Sequence, residues 1–287
     1  GVTKTYSQYT SGFSAATSRQ LIITLAASAP ALYYWCSQHS GMGGAINTNA
    51  THGSSNFDGS IQSLVSANTT TGFSIVRVSK SNTNVATIGH GLSGAPQWII
   101  GKDLDSADNW TCYHDYLGNG KGLYFNDTNS ETTASSFWND TSPTSSVFTV
   151  GSDNTWNSPS ILFYCFTPIR GFSSMGFYKG NGDADGPYVH TGFKPACIIR
   201  KCITAGTGEA WVLQDIKRPG YNVTNLASFP SGTNVEDAAA HNNVDFLSNG
   251  FKARSTDTRT NGSSKYYVYI AYGQSIVGSN NVPATAR

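Results

Sequence analysis

The sequence predicts an all-β protein made of tandem antiparallel β-sandwich repeats, on three observations. First, the chain repeats itself. At an offset of 99 positions Gly72-Phe73-Ser74 falls on Gly171-Phe172-Ser173, Lys80 on Lys179, Asn82 on Asn181, Pro96 on Pro195, Ile99-Ile100 on Ile198-Ile199 and Lys102 on Lys201. Second, charged residues are 12% of the 287, about half the share of roughly 25% usual in globular chains, and Ser, Thr, Asn and 30 glycines take their place. Third, short β-branched and aromatic runs are separated by turn formers, and no segment sustains a helical period.

Residues 1–46 form a first segment, with strand candidates at Gln20–Leu25 and Leu32–Cys36 bounded by Ala29-Pro30 and by Ser and Gly. Residues 47–71 are polar and read as a linker. The first repeat, 72–170, carries strands at Phe73–Val78, Gln97–Gly101, Asn109–His114, Gly122–Phe125, Val147–Val150 and Ser160–Phe166, with Asn119-Gly120 as a turn. The second, 171–287 with its C-terminal tail, re-uses the opening strand and the Pro-x-x-Ile-Ile strand at Pro195–Ile199. It adds a Trp strand at Trp211–Gln214 and closes on Tyr266–Tyr272. Six or seven short strands per hundred residues suit an antiparallel sandwich. Asn234–His241 is the best candidate for a short helix.

A formal net charge of +1, with no basic cluster longer than Lys217-Arg218, gives no electrostatic case for nucleic acid or an anionic membrane. No apolar run approaches the roughly 18–20 residues of a membrane span. The chain starts at Gly1 without an initiator Met or a signal-peptide pattern, and reads as a fragment or processed product. Cys36, Cys112, Cys165, Cys197 and Cys202 are odd in number and widely spaced, which does not read as a disulfide framework; a Cys197–Cys202 pairing across a turn is the alternative. Seven N-x-S/T sequons, at Asn49, Asn68, Asn109, Asn126, Asn139, Asn222 and Asn261, are expected by chance in a chain this rich in Asn, Ser and Thr.

Several constellations could carry chemistry. Cys36-x-x-His39-x-x-Met42 places a thiolate, an imidazole and a thioether on one loop, the soft set of a mononuclear copper site, but residues 1–35 offer no second histidine. The blander reading keeps this segment for packing. Asn181-Gly182-Asp183-Ala184-Asp185-Gly186 has the alternating acids of a calcium loop without the later acidic ligand, and Asp103, Asp105 and Asp108 read as solvated loop acids. None of His39, His52, His90, His114, His190 and His241 sits in a catalytic motif, so the expectation is a non-enzyme with no catalytic residues and no cofactor. The aromatic excess admits stacking on sugar rings through Trp110, Trp138, Trp156 or Tyr221, with nearby Asn and Asp as partners. Core packing is the competing use of each.

Two resemblances add to this reading. Leu32–Gly44 resembles a strand and loop of cupredoxin-like modules in phage structural proteins, so residues 1–46 resemble the C-terminal part of such a module. The set Asp58–Ile61, Ser66–Val76, Gly89–Leu92, Trp138–Phe148, Gly180–Pro187, Thr191–Ala196 and Phe246–Lys252 resembles a domain family of unknown function in virion proteins of marine phages, chiefly those of cyanobacteria and pelagic bacteria. The resemblance implies a non-enzymatic, tail-fibre-like virion component that mediates host-surface attachment, assembled with other virion proteins and with copies of itself as a homo-oligomer, a trimer being the usual form of such fibres. It implies a host glycan or protein as receptor and carries over no catalytic residue. The alternatives are a carbohydrate-binding or carbohydrate-cleaving module and a copper protein. Functional differences are expected in the loops that differ between copies, 103–108 against 202–210 and 126–145 against 222–243.

Overall fold

A computed structural model describes residues 32–35, 43–46, 53–204, 208–218 and 221–273. The chain divides into two compact units, residues 1–53 and 54–287. In the first, Leu32–Trp35 (β1) pairs antiparallel with Gly43–Ile46 (β2). The strand candidate Gln20–Leu25 and the possible metal ligands Cys36, His39 and Met42 lie outside the described residues.

The second unit opens with Ser54–Asn56 (β3), Ser63–Asn68 (β4), Phe73–Lys80 (β5), Ala86–Gly89 (β6) and Trp98–Asp103 (β7). It continues with Thr111–His114 (β8), Lys121–Tyr124 (β9), Thr132–Thr133 (β10), Val147–Val150 (β11) and Ser158–Phe166 (β12). The second copy supplies Ser173–Lys179 (β13), Tyr188–His190 (β14), Pro195–Cys202 (β15), Val212–Asp215 (β16), Val244–Leu247 (β17), Gly250–Ala253 (β18) and Tyr266–Gly273 (β19).

The repeat of the sequence is a repeat of topology. Within the larger sheet of copy one the order β8-β7-β12-β5 recurs in copy two as β16-β15-β19-β13. The facing pair β6-β11 recurs as β14-β18, to which copy two adds β17. Register repeats as well: Ile99 lies opposite Cys165, and Ile198 opposite Ala271.

The repeated residues have local reasons. Gly72 and Gly171 both sit at positive φ (69° and 80°) just before the opening strand, a conformation that costs an L side chain strain. A Cβ at Gly72 would also stand 2.1 Å from the Thr167 carbonyl oxygen. Asn82 and Asn181 each accept a bond of 3.0 Å from the backbone two residues on, Asn84 and Asp183, which makes an Asx turn in each copy. Lys102 donates to the Ser106 and Asp108 carbonyls, both at 2.7 Å, and clamps the loop between β7 and β8. Lys201 does the same to the Glu209 carbonyl and reaches Thr128 O of copy one at 2.7 Å.

Strand side chains alternate between faces, and the central strands of both large sheets find partners on both faces, while β4 and β5 leave one face exposed. Val76, Ile99, Phe163, Ile88 and Phe148 fill the space between the copy-one sheet and β6-β11. Ile198, Tyr267, Tyr269, Val189 and Phe251 do so in copy two. The opposite faces meet each other: Trp98, Ile100, Cys112 and Leu123 of copy one pack on Met175, Ile199, Val268 and Ile270 of copy two. The unit is therefore a stack of four sheets with a third core at the junction. At about 1.5–3 kcal/mol for each large apolar side chain fully buried, that junction holds the copies as one body.

Two expectations need correction. Residues 54–56 and 63–68, read as linker, are β3 and β4 at the edge of the copy-one sheet, paired with β5 through Val65↔Val76. Their inward side chains are small, with Ser63 and Val65 buried, so a polar composition concealed a strand. The helix expected at Asn234–His241 is irregular chain ending in a 3-10 turn at Ala240–Asn242. Two-stranded bridges such as Ala227↔Asp237 pull this chain into extended pairing instead. Cys112, Cys165, Cys197 and Cys202 are free thiols, in keeping with spacings that do not read as a disulfide framework.

Candidate functional site

The stacking of the two large sheets leaves one margin of the junction open. Along one ladder row Ile75 lies opposite Tyr164, Tyr164 opposite Ile100 and Ile100 opposite Cys112. Cys112 is sealed, and Ile75 at the other end is 38% exposed. Tyr164 lies between these extremes and is half-buried.

Trp110, the residue before β8, lies beside Tyr164 with ring centroids 6.3 Å apart and planes within 6°. Its backbone is fixed on both sides. Phe125 N donates to Trp110 O at 2.9 Å, Trp110 N donates to Asn126 Oδ1 at 2.9 Å, and Asn126 Nδ2 donates to Asn109 Oδ1 at 2.9 Å. Trp110, Tyr164, Phe125, Ile100 and Asn126 of copy one and Pro230 of copy two line a cleft of about 320 Å³. That is the lower end of the range for small-molecule sites, about 300–1,000 Å³, and the composition is the usual one, aromatic walls with few polar groups. Asn126 retains a second N–H and a second lone pair for a ligand, and an amide can serve as donor and acceptor at once.

The second copy supplies the internal control. Gly101 lies opposite Thr111, and Arg200 opposite Val212, so Trp211 is the counterpart of Trp110. Trp211 is fully buried, donates Nε1–H to Tyr124 O at 2.9 Å and packs its ring 5.2 Å from that of Phe125. One tryptophan of the pair closes the junction and the other faces the cleft.

The remaining sequence candidates are placed plainly. Trp138 and Trp156 are 1% and 0% exposed and pack against each other in the copy-one core. Tyr221 is 79% exposed and lines no part of the cleft. In the acidic turn, Asp183 Oδ1 accepts from Asp185 N, and Asp185 pairs with Lys252 and Arg254, each at 2.7 Å. Those cations, Lys252 first, hold its carboxyl below the usual range. Asp103 is buried and turns its carboxylate onto the Asp105 N–H.

His90 Nδ1 accepts from Leu92 N and Nε2 donates to Thr144 O, so the ring is neutral scaffold, and burial lowers its pKa. His114, at the junction, accepts from Tyr116 N and donates to Tyr269 O, and burial pulls it down to about 4. His241 pairs with Asp237 at 2.6 Å. Among the described residues no group of three or more His, Cys, Asp or Glu converges as a metal site.

Sequence reasoning named Trp110 and its Asn neighbours but missed Tyr164, Phe125, Ile100 and Pro230. Asn126 and Pro230 do belong to the two loops marked as differing between copies. Tyr164 and Ile100 lie on repeated strands and Phe125 directly follows β9, where no local signal separates a cleft wall from a core residue.

A family model described as a domain of unknown function, DUF7483, matches residues 9–275. The chain belongs to this family. Its unit takes in both copies together, in keeping with the shared core at their junction. No curated protein and no solved structure matches the chain.

Proposed function

We propose that the protein is a non-enzymatic, tail-fibre-like component of a phage particle that attaches to the host surface through the Trp110–Tyr164 cleft. The observation that carries the reading is the contrast between the two equivalent tryptophans. The same position is sealed in copy two and left half-buried beside a parallel tyrosine ring and two asparagine amides in copy one. Virion placement rests on the resemblance of residues 58–252 to phage virion proteins. Low charge, tandem β repeats and the four-sheet stack suit a rigid surface protein.

Two measurements test it. The chain should be present in purified particles, and the labelled protein should bind host cells and compete with particle adsorption. Trp110→Ala should lose that binding while keeping the wild-type circular dichroism spectrum. Particles without the chain, or undiminished binding by the variant, would overturn the proposal.

A further inference from the structure

We infer that the cleft takes a neutral, extended glycan and seats two consecutive pyranose rings, one on Trp110 and one on Tyr164. The inference rests on the attachment reading for its biological setting, but its chemistry is read from the cleft itself. The two rings are stacked, parallel within 6° with centroids 6.3 Å apart, so they offer apolar faces of one orientation to a chain of sugar rings. Aromatic faces carry negative charge and attract the polarised C–H groups of a sugar's apolar face. Equatorially linked pyranoses present such faces repeatedly along one chain.

The polar complement is uncharged. Asn126 has an amide N–H and a lone pair left after its bonds to Asn109 and Trp110, which matches the donor-and-acceptor character of a hydroxyl. No Lys, Arg, Asp or Glu is among the lining residues Ile100, Trp110, Phe125, Asn126, Tyr164 and Pro230. Lys102 Nζ is turned into its own loop, on Ser106 O and Asp108 O, and Lys201 Nζ onto Thr128 O. A uronate or sulfated chain would thus enter an apolar cleft with its charge unmatched. Phe125 contributes a third ring, 6.1 Å from Trp98 and tilted by 58°, which closes one side.

Calorimetric titration of the full chain decides the matter. The probes are cellohexaose, mannohexaose and xylohexaose as neutral β-1,4-linked chains, and β-1,4-linked oligomannuronate of equal length as the charged comparison. At least one neutral hexaose should bind. Trp110→Ala and Tyr164→Ala should each weaken it by about 30-fold, the scale of a hot-spot aromatic. Trp110→Phe, which keeps an aromatic face and guards against misfolding, should stay within about tenfold, and Tyr221→Ala should leave binding unchanged. Equal or tighter binding of oligomannuronate, no binding of any neutral hexaose, or indifference to both ring deletions would overturn the inference.

Failure here is separable from failure of the attachment reading. Cell binding that depends on Trp110, survives periodate oxidation of surface sugars and is abolished by protease keeps attachment and overturns the glycan. Binding of a hexaose by a chain that ignores host cells does the reverse.

Discussion

The two copies share strand order and register, yet they solve the same packing problem differently. At the position of Gly101 in copy one, a Cβ would stand 2.5 Å from the Trp156 ring and 2.7 Å from that of Phe163. Glycine there makes room for a dry aromatic core of Trp138, Trp156, Phe148 and Phe163. The same register position in copy two is Arg200, fully buried, lying over the Phe251 ring and bonded to Gln214, with Nε and Nη1 unpartnered. Tyr178, Tyr267 and Tyr269 line that core, and burial raises the Tyr178 phenol to about 12 against the pull of Arg200. The Trp110 and Trp211 pair differs in the same spirit. Topology is inherited twice, and each copy then uses its side chains differently, one Trp as mortar and one lining a cleft.

The comparison can be broken by mutation, and the largest effect belongs to the sealed tryptophan. Trp211→Ala should cost about 3–5 kcal/mol, as for other fully buried aromatics. Trp110→Ala should cost less, about 1–2 kcal/mol, since its ring is only partly buried against the junction core. Chemical denaturation of the two variants measures the gap, and equal costs would erase the distinction on which the site rests.

Acid should act through the junction next. Folded His114 titrates at about 4 against 6.5 when unfolded. The unfolded chain therefore binds more protons between those values, and stability falls as pH drops through that window. The expected loss from this group is about 3 kcal/mol between pH 7 and 4. His114→Gln should flatten the profile in that range, measured as denaturation midpoints, and His90 adds a smaller loss of the same sign.

Gly101→Ala should then cost about 1–3 kcal/mol, because a methyl group must displace two packed rings. Arg200→Met should change stability least, by about 1 kcal/mol in either direction. It gives up one bond to Gln214 and a ring contact but removes a buried charge that no carboxylate balances. A large loss in Arg200→Met would mean that the guanidinium holds copy two together.

How far the sequence was legible follows from these same residues. The all-β class and most of the strand series were readable because alternation and turn residues are local properties. Two long-range effects were not. Residues 54–56 and 63–68 looked like linker because the inward positions Ser63 and Val65 are small and the outward ones polar, and only pairing with β5 makes them strand. The difference between Trp110 and Trp211 depends on how one sheet covers the other, which no window of sequence around either residue contains. Trp138 and Trp156 looked as eligible for sugar stacking as Trp110 until burial separated them.

The most direct test of the account is attachment of the Trp110→Ala protein to host cells, measured beside its melting temperature. The account predicts that attachment is lost while the melting temperature falls by no more than several degrees, the shift expected for about 1–2 kcal/mol. Attachment equal to that of the unmodified protein would contradict it.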